Sequence, residues 1–324
     1  MSLPRSTEVF YITDAQFAVP TLISAESLRR WTDRVRINVV LLDVSDRQME
    51  EFVRIGQDLR LDVHSLSTDI LAAFGTDQFN ATHVPHATLA RFLISRFFHD
   101  MEGDVLYVDG DTLFVGDPAE LLAIPAPERG LLAAEDQSYF YADEVGGTGR
   151  NVRAYFSGIG VTAEQGYFNA GVLKFRASEW VRISKECLAF LERNLAICQY
   201  HDQSALNAVV GKERVRLSPV WNFAHFYRDW GVSGKLEPKI VHFVGGDKPW
   251  MGRLNVWSDM YSSYMSAVER RLQGSFSLKK WNEREQADRL KAERWRMLKN
   301  HSIFAIRRAY RREKFSRLLK TSAV

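Results

Sequence analysis

The sequence predicts an α/β protein, a mostly parallel sheet with helices on both faces, followed by a basic helical extension. Three observations carry this. Short runs of β-branched and aromatic residues alternate with longer stretches at helical spacing, the pattern of crossover units that bury parallel strands between helical layers. Two carboxylates stand where one apolar run ends, in Val105-Leu106-Tyr107-Val108-Asp109-Gly110-Asp111, at the kind of strand terminus where α/β sheets bind ligands. After about Arg253 the strand signals cease, and Lys279 to Lys320 is helical in composition.

In order, Glu8 to Thr13 reads as a strand, Pro20 to Trp31 as a helix and Arg36 to Asp43 as a second strand. Asp46 to Arg60 reads as a helix and Asp62 to Leu66 as a short third strand. Thr82 to His99 carries Leu89, Phe92, Leu93, Arg96 and Phe97 at helical spacing, and Gly103 stops it. The strand ending at Asp109 follows, then strands at Gly130 to Glu135 and Gly171 to Phe175. Helices cover Ser178 to Cys198 and Asp202 to Val210. Residues 137–167 break the pattern, because Tyr139, Phe140, Tyr141, Tyr155, Phe156 and Tyr167 interleave with Gly146, Gly147 and Gly149. An aromatic, glycine-bearing insertion between core strands is expected to be a lid or stacking loop, or disordered.

With 324 residues, 46% of them hydrophobic, the chain has material for one large core or two smaller ones. It lacks the run of about 18 apolar residues that a membrane span needs. Met1 to Glu8 shows no basic segment followed by an apolar one, so no secretory signal is expected. Cys187 and Cys198 fall on one expected helix. Eleven residues of helix separate them by roughly 16 Å, beyond the roughly 7 Å limit for a disulfide. A cytoplasmic location fits.

Charge divides the chain. Residues 269–324 hold 17 Lys/Arg against 6 Asp/Glu, and the remainder holds 26 against 34. We therefore expect a body at 1–258, a basic extension at 259–324, and an anionic partner for the extension. Trp281, Trp295, Phe304, Tyr310 and Phe315 lie among its basic residues, a texture suited to the inner face of an anionic membrane. On a wheel from Ile303 the apolar positions spread over more than half the circle, so deep insertion is not expected. Nucleic acid is the other anionic partner to weigh, and the acidic body argues against it.

The chemistry concentrates in two segments. Residues i and i+2 of an extended chain share a face, so Asp109 and Asp111 present two hard oxygen ligands on one side. Far downstream, Ile240-Val241-His242 leads into Gly245 and Lys248. Carboxylates, an imidazole and a lysine suit a divalent cation with a diphosphate, Mn²⁺ by preference and Mg²⁺ as the other choice.

With these residues in view, the chain resembles glycosyltransferase family eight, which includes glycogenin and bacterial lipopolysaccharide glucosyl- and galactosyltransferases. Five ordered segments carry the resemblance: Tyr11 to Phe17, Asp104 to Asp111, Phe168 to Leu173, His201 to Asn207, and His242 to Trp250. It covers roughly residues 8–253 and implies a GT-A fold, a UDP-sugar donor and transfer with retention of anomeric configuration. By position it implies that Asp14 and Gln16 meet uracil and ribose, with Arg91 near the nucleotide and donor sugar. Asp109, Asp111 and His242 would bind the metal, and Gly245 and Lys248 the diphosphate. Asn169, Ala170 and Asp136 would line the donor sugar, and Asp202 and Gln203 the anomeric carbon. A hexose, glucose or galactose, would pass to a saccharide or lipid-linked saccharide such as lipopolysaccharide. An amide at Gln203 is no carboxylate nucleophile of the kind retaining glycosidases use, so front-face substitution is expected. Gln16 and Phe17 stand where the family often has Asn and Tyr.

Two other classes fit the sequence less well. Asp109-Gly110-Asp111-Thr112-Leu113 superficially resembles the Asp-x-Asp-x-Thr of haloacid-dehalogenase-like phosphatases, but Leu113 takes the threonine position. A non-catalytic sugar- or nucleic-acid-binding protein would suit the tail, but not the acidic body with its complete ligand set.

Overall fold

The computed structural model describes residues 7–67, 86–98, 101–232 and 237–322. Among these, β1 (Thr7–Thr13) lies inside a seven-stranded sheet. β2 (Ile37–Leu42) and β3 (Leu61–Leu66) extend it on one side, and β4 (Asp104–Val108) lies on the other, all parallel. β7 (Phe168–Arg176) follows, antiparallel to β4 and to β6 (Leu132–Glu135), and β8 (Val215–Arg216) closes the order. The chain order reverses between β1 and β4, which opens a crevice at their carboxyl ends. Asp14 and Asp109 follow those two ends.

Strand alternation divides the core. Val9, Tyr11, Val39, Leu41, Leu106 and Val108 face a layer made by α1 (Ala18–Arg29) and α9 (Ser258–Arg271). Phe10, Ile12, Val40, Leu42, Val105 and Tyr107 face α3 (His86–Leu93), α7 (Ala177–Asn194) and α8 (His201–Val210). With both faces covered, β2 is buried at every position, as parallel strands between helical layers require. Each large apolar side chain so buried contributes about 1.5–3 kcal/mol. α2 (Asp46–Ile55) starts at a reciprocal cap between Ser45 and Gln48. Lys174 on β7 is fully buried and donates to the carbonyls of Leu121 and Leu122 at α4 (Ala119–Ala123). The helix expected over 82–99 runs over 86–93 and tightens to a 3₁₀ turn at 94–98; its remaining positions lie outside the described residues.

A second sheet has the order β5 (Thr112–Phe114), β10 (Ile240–His242), β9 (Phe223–Ala224), and its β5 follows β4 in the chain after Asp109–Asp111. β10 pairs antiparallel with β5 in the register His242↔Thr112, and parallel with β9 in the register His242↔Ala224. This ladder closes the gap between the two chemistry-bearing segments.

The aromatic insertion departs from expectation. It forms α5 (Gln137–Tyr141) and α6 (Gly147–Gly158), and its rings pack into protein. Phe140 is fully buried against Tyr227, Trp230 and Phe315, and Phe156 stacks on Tyr167 with centroids 5.0 Å apart. Neither disorder nor an open stacking loop describes it, because Phe140 and Phe156 gain more from burial than from exposure.

Part of what binds this shoulder comes from the C-terminal helices, α10 (Glu283–His301) and α11 (Ala305–Thr321). Phe315 and Leu318 join the Phe140 cluster. Buried Glu293 accepts from the backbone N–H groups of Asn255 and Val256. Arg289 pairs with Asp247, Arg296 with Asp229, Arg311 with Glu144 and Lys314 with Asp143. A share of the basic excess therefore answers the acidic body itself.

Candidate active site

Asp109, Asp111 and His242 come together, with one ligand atom of each within 4.8 Å of the others. His242 Nε2 lies 3.2 Å from Asp111 Oδ1 and 3.8 Å from Asp109 Oδ2. Phe243 N–H donates to the Asp111 carbonyl at 3.0 Å, which locks the two segments edge to edge. Two glycines make the approach possible. A Cβ on Gly110 would stand 2.2 Å from Thr21 Oγ1 on α1. One on Gly171 would stand 2.2 Å from His242 Cε1 and 2.8 Å from Asp109 Oδ2, filling the cradle. The residues thus fit a divalent cation, with mixed O/N donors and a cradle left open by a missing side chain.

Lys248 is buried here, donating to Asp111 Oδ2 and to the Phe243 carbonyl, both at 2.5 Å. Burial raises the Asp111 carboxyl, but the Lys248 ammonium beside it opposes this, and the carboxyl is held well below the usual carboxylate range. Gly245 is exposed at φ 85°, with open space around it.

Arg91 is the hub on the other side. Its guanidinium donates to the Ala170 carbonyl at 2.8 Å and to Asp109 Oδ1 at 3.1 Å, and it covers the Tyr107 ring at 4.7 Å. Its Nε lies 2.7 Å from Asp202 Oδ2 without the alignment of a hydrogen bond, so that contact is an ion pair. Burial raises the Asp202 carboxyl to about 6, opposed by Arg91 and reinforced by Asp109. The pair links the α8 segment to the cluster of Asp109, Asp111 and His242.

Gln203 Oε1 accepts from the Ala170 N–H at 3.1 Å, leaving one lone pair of that oxygen uncommitted. His201, just before this pair, adopts φ 43°, and left-handed strain in a non-glycine residue often marks functional sites. Asn169 and Ala170 reach the site because β7 and β6 part company, with the register jumping from Ala133↔Leu173 to Glu135↔Phe168. Asp136 holds Ser138 through N–H and hydroxyl, and accepts from Asn169 Nδ2 at 3.3 Å. Across the crevice, Asp14 Oδ1 accepts from the N–H groups of Gln16 and Phe17 ahead of α1, while the Gln16 side chain is exposed.

Two residues escaped the sequence reading. Tyr107 donates its hydroxyl to Asp109 Oδ1 at 2.7 Å, and its position two residues before Asp109 on the same strand was a usable signal. Asn222 lies 2.8 Å from His242 Nδ1, and nothing in Ser218-Pro219-Val220-Trp221-Asn222 announces it.

A mostly parallel α/β sheet with a switch point, and a carboxylate pair and an imidazole gathered beside it, is the class of architecture that binds ligands at the carboxyl ends of its strands. The chain belongs to glycosyl transferase family 8, whose model matches residues 8–253. Glycosyltransferase GlyE of Streptococcus pneumoniae is 29% identical over 54% of this chain, which spans 41% of that protein's length. Lipopolysaccharide glucosyltransferase WaaO of Escherichia coli is 22% identical over 75% of this chain and 72% of its own. The solved structure of galactosyltransferase LgtC with donor and acceptor sugar analogues superposes at a TM-score of 0.65 and 20% identity, covering 86% of this chain and 98% of that one. At that identity the likeness establishes the fold, which is GT-A. Family membership sets the phosphatase alternative aside.

Proposed function

We propose that this protein moves a hexose, glucose or galactose, from a UDP-sugar to a saccharide acceptor with retention of configuration. The convergence of Asp109, Asp111, His242 and Lys248 on one open cradle carries the reading. These residues would hold Mn²⁺ or Mg²⁺, which supplies charge stabilisation to the departing diphosphate. Lys248 adds a second positive charge beside the leaving group. Asp14, Gln16 and Arg91 would receive the nucleotide, Gly245 the diphosphate, and Asn169, Ala170 and Asp136 the donor sugar. At the anomeric carbon, the remaining lone pair of Gln203 Oε1 would steady developing positive charge. Asp202 would act through its pairing with Arg91. EDTA should abolish hexose transfer or UDP-sugar hydrolysis and Mn²⁺ should restore it, with a retained product. Full activity in chelator, or an inverted linkage, contradicts the reading.

We further propose that residues 1–258 carry the chemistry and that the extension at 259–324, through the exposed surface of α10 and α11 beyond the core helix α9, attaches the enzyme peripherally to the inner face of an anionic membrane, near a lipid-linked saccharide such as a lipopolysaccharide precursor. Support comes from the turn between α10 and α11. There Trp295, Leu298, Ile303 and Ile306 are 56%, 61%, 76% and 87% exposed, beside Lys291, Arg294, Lys299 and Arg307. An apolar corner with a basic rim complements anionic lipid, each nearby Lys or Arg contributing about 1 kcal/mol. No described helix is long and apolar enough to cross a membrane. The full chain should bind anionic vesicles at low salt and leave them at about 1 M, where screening shortens to about 3 Å. Ignoring vesicles while binding RNA tightly contradicts the attachment.

A further inference from the structure

The hydrogen bonds behind His242 have only one consistent direction. Gly171 N–H is a donor, so the atom 2.9 Å from it must be the Asn169 carbonyl oxygen. The Asn169 amide then points to Asp136 Oδ2 at 3.3 Å. The same Asn169 oxygen lies 2.9 Å from the Asn222 side chain, so Asn222 must present its NH₂ there. The Asn222 carbonyl is left to face His242 Nδ1 at 2.8 Å, and that nitrogen must carry the hydrogen. A single backbone N–H thus orients two amides and an imidazole in series.

We propose that Asn222 is a positioning residue that reserves His242 Nε2 for the cation and ties the metal corner to the donor-sugar side. The inference rests on the metal reading above. Nε2 looks toward Asp111 Oδ1 and Asp109 Oδ2, where a neutral imidazole with its hydrogen on Nδ1 offers a lone pair among carboxylate oxygens. Three electron-rich atoms facing one another suit a cation between them. Partners of this kind behind a metal-bound histidine typically change metal affinity about 10–100-fold when removed. Asn222 is 3% exposed, sits just before β9 and is held beside His242 by the β9–β10 ladder, so its geometry is fixed by backbone. Through Asn169 and Asp136 the same chain reaches α5, whose first-turn Ser138 is bound to Asp136.

The test uses the full chain and calorimetry with Mn²⁺ alone, then UDP, UDP-glucose and UDP-galactose with Mn²⁺ present. Asn222→Leu should weaken Mn²⁺ about 10–100-fold. Asn222→Asp still accepts from Nδ1–H, and a carboxylate there raises the basicity of the imidazole, so Mn²⁺ affinity should be kept or raised. It cannot donate to the Asn169 oxygen, so it should lose the extra affinity that the hexose adds to UDP. A purely structural asparagine would instead lower the melting temperature of both variants and move Mn²⁺ affinity in step. Should Asn222→Leu fail to fold, the Asp variant decides alone: Mn²⁺ retained with hexose discrimination lost supports the assignment, and both lost or both retained overturns it. Wild-type Mn²⁺ binding matched by Asn222→Leu overturns the assignment alone. No Mn²⁺ binding by the wild type overturns the metal reading and this inference with it.

Discussion

The cluster of Asp109, Asp111 and His242 and the C-terminal helices both gather charge, and they treat it differently. On α10 and α11, Arg296, Arg311 and Lys314 each meet a carboxylate of the body, and Phe315 fixes their register by filling a cluster of rings. At the carboxylate–imidazole cluster, Asp109 and Asp111 share one lysine and one arginine with other partners, and His242 Nε2 faces carboxylate oxygens. Charge that is matched pair by pair holds structure together. The carboxylates of the cluster are not matched in this way, and the two share a single imidazole as neighbour.

That contrast can be broken by mutation. The largest expected effect is on stability, at Phe315→Ala, which should cost about 3–5 kcal/mol by emptying a packed site. It should lower the melting temperature and leave the Mn²⁺ affinity of the folded fraction unchanged. Altered metal affinity at wild-type stability would erase the distinction between the two regions. Next comes Asp111→Asn, expected to lower transfer by about 100-fold or more, with the fold intact by circular dichroism. Unchanged turnover would remove Asp111 from the ligand set.

Gln203→Ala should be smaller again, a fall in kcat of about 10-fold or more with little change in donor KM, as for an interaction made in the transition state. An equal loss of donor affinity would reassign Gln203 to ground-state binding. Its tie to the Ala170 N–H makes that split informative, because removing it frees a backbone donor beside Asn169.

Much of this was legible beforehand. The fold followed from alternating strand and helix signals, and the carboxylate pair from its place at the end of an apolar run. His242 could be grouped with Asp109 and Asp111 on ligand chemistry and on the resemblance, but not by any local pattern, since the 131-residue separation is closed by the register His242↔Thr112. Asn222 stayed hidden because an amide's role depends on which groups surround it. The insertion at 137–167 was legible only in part for a related reason. Its aromatics read as ligand-facing, yet part of their surroundings, Phe315 and Arg311, arrives more than 150 residues later. The basic tail read as free charge until Asp143, Glu144 and Asp229 were found against it.

The central claim is that Asp109, Asp111 and His242 form a divalent-cation site serving a UDP-linked donor. Calorimetric titration of the full chain with UDP, with and without Mn²⁺, tests it most directly. The account expects UDP binding that depends on Mn²⁺ and is lost on chelation and in Asp111→Asn. UDP binding indifferent to metal, or no UDP binding together with hydrolysis of p-nitrophenyl phosphate, would contradict it.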